Sequence, residues 1–224
     1  PNKPIGLEGN KELGTDSFLE RREMGIINVG PKGSVLVDGN EHAMDTKDGL
    51  YVGMGSKEIV FSSGSDNNPA HFYFLSSPAH QNYPTKKIEI STTEPTHLGS
   101  PAESNVRTIY KYIHPDGVKS CQLCMGMTIL ESNNVWNSMP CHTHARRMEV
   151  YFYFNLPDEA IVFHLMGEPN ETRHIVIRNE EAVISPDWSI HAGAGTSNYI
   201  FIWGMIGENQ TFTDMDAVNM GELQ

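Results

Sequence analysis

The chain of 224 residues reads as an all-β protein built from two tandem barrels. Three observations predict this: short β-branched and aromatic segments, no sustained helical periodicity, and a weak internal repeat. In the first half the strand signals are residues 33–37, 49–52, 57–61 and 70–75, with Asp38-Gly39-Asn40 as a turn. In the second half they are residues 120–130, 147–155, 160–166, 174–177, 182–184 and 199–205. Gly, Pro, Asn and Asp punctuate them, as expected of a sandwich or barrel.

The repeat divides the chain. Arg21-Arg22-Glu23-Met24 stands 125 residues before Arg146-Arg147-Met148-Glu149, and Gly49-Leu50-Tyr51-Val52 stands 133 before Ala182-Val183-Ile184-Ser185. The growth in offset fits one longer loop in the second copy. Residues 76–106 are rich in Pro, Ser and Thr and read as a linker crossing the surface. The expected division is residues 1–90, a barrel without metal ligands, and residues 91–224, a barrel with the chemistry.

Composition bounds the function. A hydrophobic fraction of 38% supports a sizeable core, and no apolar run is long enough for a transmembrane helix. The net charge of −12 argues against a nucleic-acid partner, which demands a basic face. Cys121, Cys124 and Cys141 make no disulfide framework and read as buried thiols in a reducing compartment. The chain opens at Pro1 without an initiator Met or signal-like stretch, and reads as lacking its natural N-terminal segment.

The chemistry gathers at Pro140-Cys141-His142-Thr143-His144-Ala145-Arg146-Arg147-Met148-Glu149, with His191 after the turn Pro186-Asp187-Trp188-Ser189. Three imidazoles and one carboxylate are the donors a divalent metal needs. His142 and His144 share one face of an extended chain, whereas strict alternation sends Glu149 to the other. A turn or bulge near Ala145-Arg146 must bring it back. By the repeat, these ligand positions correspond to Ser17, Leu19 and about Glu58 in the first copy, so only the second barrel is equipped for metal. The first has a structural role, at a subunit interface for example.

His142-x-His144 with Glu149 and His191 resembles the metal-binding pattern of the cupin superfamily. Closer likeness lies in Met139–His144, Arg146–Asn155, Glu171–Val176, Ile184-Ser185-Pro186 and Trp188–His191. Phe201–Met205, Gly207–Gln210, Tyr83–Lys87 and Phe18–Arg22 extend it nearly end to end. These segments are similar to those of the 4-deoxy-L-threo-5-hexosulose-uronate ketol-isomerases. One departure is Ala145, where that family usually carries an acidic residue; Ala145 is not among the four donors. The resemblance implies two double-stranded β-helix barrels (a bicupin) and a cytoplasmic homohexamer with one zinc per subunit. It implies conversion of 5-keto-4-deoxyuronate to 3-deoxy-D-glycero-2,5-hexodiulosonate in pectin and uronate breakdown.

That reaction moves a hydrogen between the carbons of an α-hydroxy aldehyde. A metal on His142, His144, Glu149 and His191 would polarise the carbonyl and hold the enediolate. Zinc suits redox-neutral proton transfer, although the same donors accept iron, manganese or nickel. For the proton-handling groups the sequence offers His164, His174, Tyr151 and Tyr153, each with core packing as its alternative. For the substrate carboxylate it offers Arg146, Arg147 and Arg173, with Lys87 and Arg107 behind them. A cupin oxygenase, a non-enzymatic sugar-binding bicupin and an isomerase of another aldose are the competing readings. Neither nucleic acid nor membrane is expected as a partner.

Overall fold

The structure is a computed structural model that describes residues 3–224. Among these residues the regular structure is antiparallel strand, with helical turns of three residues only at Ile90–Thr92, Pro101–Glu103 and Met220–Glu222. No helix among them is long and apolar enough to cross a membrane. The chain forms two compact units: residues up to Thr93 together with Tyr112–Leu123, and Glu94–Lys111 together with Cys124–Gln224.

The first unit has two four-stranded sheets. One orders Phe72–Pro78, Arg22–Asn28, Gly49–Val52 and Lys86–Ile88; the other orders Ile5–Gly6, Ile59–Ser63, Gly33–Val37 and Asn40–Met44. Burial alternates along Gly33–Val37, as a half-covered strand requires. Leu19, Met24, Ile26, Val35, Leu50 and Phe61 meet in one core drawn from both sheets. Leu19 and Met24 occupy the places that correspond to His144 and Glu149, so this core is apolar where the second unit gathers metal donors.

The register supports the repeat. Met24 opposes Val52 and Glu149 opposes Ser185, which preserves both offsets read from the sequence. On the opposite face from Met24, the buried carboxylate of Glu23 is surrounded by donors. It accepts from Tyr51 Oη at 2.8 Å, Ser77 Oγ at 3.1 Å and the backbone N–H groups of Cys121, Gln122 and Leu123 at 2.7–2.9 Å. The Tyr51 phenol is pushed well up by burial and by that carboxylate.

The second unit contains a six-stranded sheet ordered Glu181–Ser185, Arg147–Phe154, Ile200–Gly207, Leu123–Leu130, Arg107–Ile113 and Pro95–Leu98. A four-stranded sheet orders Trp136–Asn137, Ile190–Gly195, Val162–Glu168 and Glu171–Ile177. Tyr151, Tyr153, Val162, Ile177 and Phe201 join the two in one core. Gly126 permits a close approach inside the larger sheet. A Cβ there would lie 2.2 Å from the Trp203 ring and 2.4 Å from the Tyr110 carbonyl. All three cysteines are buried free thiols.

The segments predicted as strands fall on strands, with ends shifted by a few residues. The signals at 120–130 and 174–177 correspond to Leu123–Leu130 and Glu171–Ile177. Arg107–Ile113 is a strand that the sequence reading passed over. Its alternation is interrupted by Tyr110 and Lys111, and it follows a linker-like stretch directly.

Candidate metal centre

His142, His144, Glu149 and His191 converge, with one ligand atom from each lying within 4.8 Å of all the others. His142 sits on the short strand His142–Thr143, Glu149 on Arg147–Phe154, and His191 on Ile190–Gly195. The expected turn exists. Ala145 and Arg146 leave the strand, and Arg146 takes φ +65°, which returns Glu149 to the face of the histidines.

The ring orientations favour a metal. His144 Nδ1 lies 3.2 Å from the Arg147 carbonyl and His191 Nδ1 lies 3.3 Å from the Ser189 carbonyl. Donation of Nδ1–H to those carbonyls leaves both Nε2 lone pairs facing the centre. There Glu149 Oε2 lies 2.9 Å from each, and His191 Nε2 lies 3.1 Å from His142 Nε2. Buried lone pairs facing one another need a cation between them. A tetrahedral ion with ligands at about 2.0–2.1 Å places its donors roughly 3.3 Å apart, near the three short separations, while the full set spans up to 4.8 Å.

Electrostatics agree. Burial and the neighbouring His191 push His142 down to about 3, so its imidazole is neutral and able to ligate. Burial alone would raise Glu149; the neighbouring His191 and His144 outweigh it and hold the carboxyl well below the usual range.

His142, His144 and Glu149 border a cavity of about 370 Å³, small among ligand sites. Tyr151 and Arg107 face it beside the donors, and Ile109, Phe201, Trp203 and Met205 form an apolar wall. The Tyr151 ring packs between Phe201 at 4.5 Å and His191 at 5.6 Å. Its phenol is raised well above the ordinary value by burial and by Glu149. Arg107 donates from Nη1 to the Asn105 carbonyl at 2.9 Å, while its buried Nε has no hydrogen-bond partner.

The other residues singled out in the sequence are placed elsewhere. His164 and Tyr153 lie behind the cavity wall, buried and bonded to each other. Tyr153 Oη is 2.8 Å from His164 Nδ1, and His164 Nε2 is 3.2 Å from Ser185 Oγ. His174 is exposed and packs on the Phe163 ring at 5.5 Å, away from the four donors. Arg173 is exposed and pairs with Glu171 at 2.8 Å. Arg146 is exposed near Glu208 and Asp214. Arg147 is buried, but its guanidinium is spent on backbone carbonyls of residues 209–214. In the first unit, Lys87 pairs with Asp48 and Glu89 at 3.2 Å. None of these guanidinium or ammonium groups faces the cavity, and Arg107 replaces them as the cation that does.

Burial lowers His164 to about 4 from an ordinary 6.5. Between those values the unfolded chain binds more protons than the folded one. Stability is therefore intact above pH 6.5 and falls as pH drops toward 4, by about 3 kcal/mol in all. In chelator-treated protein, denaturant titrations at pH 7 and pH 4.5 are expected to show a smaller loss for His164→Gln than for the wild type. Equal losses would remove His164 as the source.

A profile of the KduI/IolB family matches residues 3–220. The chain belongs to the KduI/IolB family. The 4-deoxy-L-threo-5-hexosulose-uronate ketol-isomerase of Caldicellulosiruptor bescii is 66% identical over 218 residues, which cover 97% of this chain and 79% of that protein. The enzyme of the same name from Halalkalibacterium halodurans is 59% identical, covering 99% of this chain and 80% of that one. Among solved structures, an IolB-like protein from Salmonella typhimurium superposes with a TM-score of 0.78 at 13% identity, covering 96% of this chain and 83% of that chain. That likeness concerns the fold, which is the tandem β-barrel architecture of this family.

Proposed function

We propose that this chain is a ketol-isomerase that converts 5-keto-4-deoxyuronate to 3-deoxy-D-glycero-2,5-hexodiulosonate in uronate and pectin breakdown. The observation that carries the reading is the convergence of His142, His144, Glu149 and His191, the first three of which line a cavity shared with Tyr151 and Arg107. Identity of 66% to an enzyme of that name supports it.

His142, His144, Glu149 and His191 would hold one divalent ion per subunit. It would supply Lewis acidity toward the substrate carbonyl, and zinc fits because proton transfer needs no redox change. Arg107 receives the substrate carboxylate, since its half-buried guanidinium retains an unpartnered Nε and the planar fork matches a carboxylate. Tyr151 keeps its proton through the physiological range and donates it toward a substrate oxygen. His164 and Tyr153 hold the wall behind Tyr151. The first barrel is a structural partner, and the protein works in the cytoplasm as a homo-oligomer, with a hexamer as the assembly the family likeness favours.

Incubating metal-loaded protein with 5-keto-4-deoxyuronate in deuterated water, with NMR detection, tests the reading. Conversion with deuterium at the former aldehyde carbon is expected, and chelator should stop it. No conversion by metal-loaded protein would sink it. Tyr151→Phe is expected to lower kcat about 10²- to 10⁴-fold while metal content stays constant.

A further inference from the structure

Among the uncharged polar side chains at the cavity, Thr128 and Asn137 stand apart. Both line it, and both are buried, at 2% and 5% exposure. Neither the Thr128 hydroxyl nor the Asn137 side-chain amide has a hydrogen-bond partner among the described residues. Ser138 and Thr213 also border the cavity, but the first is only half-buried and the second is exposed, so solvent can serve them. A buried hydroxyl or amide without a partner is destabilising. Two of them beside one cavity point to a ligand that supplies the missing partners.

Sheet order locates the pair. From Arg147–Phe154, which carries Glu149, the six-stranded sheet runs through Ile200–Gly207 and Leu123–Leu130 to Arg107–Ile113. The strand of Thr128 therefore lies one spacing from that of Arg107 and two from that of Glu149, roughly 5 and 10 Å. Asn137 comes from the other sheet, where Trp136–Asn137 pairs with Ile190–Gly195 and Asn137 opposes Gly193. Tyr199 joins the two walls. It donates to the Gly193 carbonyl at 2.8 Å, and its phenol interacts with Arg107 and with the Asn137 backbone. Arg107, Thr128 and Asn137 thus gather at the end of the cavity away from Glu149.

In the substrate of the proposed function, on which this inference rests, a keto oxygen on carbon 5 stands directly beside the carbon 6 carboxylate, at the end opposite the aldehyde. With the aldehyde end at the metal donors and the carboxylate at Arg107, that keto oxygen lies next to the guanidinium. We propose that Thr128 and Asn137 complete, with Arg107, a subsite for a 2-keto carboxylate. The Thr128 hydroxyl donates to the carbon 5 keto oxygen, and the Asn137 amide N–H groups donate to the carboxylate. A keto or carboxylate oxygen only accepts, and both side chains can donate. Arg107 supplies the charge, and the two neutral groups fix how the 2-keto acid end lies, so that the aldehyde end reaches the metal donors.

Thr128→Val keeps the shape of the side chain and removes the hydroxyl. In the metal-loaded enzyme it should raise KM for 5-keto-4-deoxyuronate about tenfold, with metal content unchanged. The change in kcat should stay below about threefold, because a contact remote from carbons 1 and 2 is made equally in the ground and transition states. Thr128→Ser restores the donor and should bring KM back to within about threefold of the wild type. Asn137→Ala should also raise KM with metal content unchanged. Without substrate, Thr128→Val should melt about 2–4 °C above the wild type, since it removes an unpartnered buried hydroxyl. A threonine with a purely structural role predicts the reverse. No turnover by the wild type would overturn the isomerase reading, and this inference with it. With an active wild type, three results would overturn this inference alone: an unchanged KM in Thr128→Val, a serine variant that fails to restore it, or a loss of activity that tracks a lower melting temperature.

Discussion

Replacing His191 with alanine is expected to abolish metal retention and to lower turnover sharply. His191 Nε2 lies 2.9 Å from Glu149 Oε2 and 3.1 Å from His142 Nε2, so its removal opens the donor set at its middle. Losing an outer partner of a metal ligand typically costs 10- to 100-fold in affinity, and losing a ligand costs more. If the ion contributes about 4 kcal/mol to stabilising the developing negative charge, turnover falls about 10³-fold. Elemental analysis after gel filtration and an activity assay read the two effects separately. Because alanine keeps the Cβ on an extended strand, the variant should fold, and its melting temperature should no longer respond to added metal. Retention of stoichiometric metal with full activity would remove His191 from the site.

The second large effect is on stability. Glu23→Ala is expected to destabilise the first unit by about 3–5 kcal/mol, because it removes a buried carboxylate from five donors. The N–H groups of Cys121, Gln122 and Leu123 would then be buried without their acceptor. Glu23→Gln should cost less, since its amide oxygen still accepts from part of the group and its amino end meets donors. Denaturant unfolding monitored by circular dichroism measures both. A change under 1 kcal/mol for the alanine variant would show that water or another group takes over the role of Glu23.

Much of the donor set was legible in the sequence. His142 and His144 are two residues apart on extended chain, and the five-residue step to Glu149 forced a turn that appears at Ala145-Arg146 with Arg146 at φ +65°. The repeat was legible because register preserves sequence offset, as Met24–Val52 and Glu149–Ser185 demonstrate. It also exposed the asymmetry of the barrels, since Leu19 and Met24 are core residues in the first unit. Tyr151 was placed correctly on the face of Glu149 by alternation, and it lines the cavity. Tyr153 shares that face by the same count, yet lies deeper and bonds to His164.

The arginines show where such reading stops. Arg146, Arg147 and Arg173 stood nearest the ligands in sequence, and none faces the cavity. Alternation puts Arg147 on the same face as Glu149 but says nothing of which segment will cover it. The covering segment is the 209–217 strap, whose carbonyls take the guanidinium. Arg107 reaches the cavity because sheet order places Arg107–Ile113 and Leu123–Leu130 beyond Ile200–Gly207 from Glu149. No spacing rule conveys that order.

What the sequence determined by itself is the all-β class, the doubling of the barrel and the four side chains that converge, with the turn they require. These follow from side-chain periodicity and from ligand chemistry, which are local. Only the tertiary structure decided which cation, which tyrosine and which apolar wall share the cavity with those donors. The reason is that a strand's alternation fixes a face, whereas the occupant of the space beyond that face arrives from chain far away in sequence.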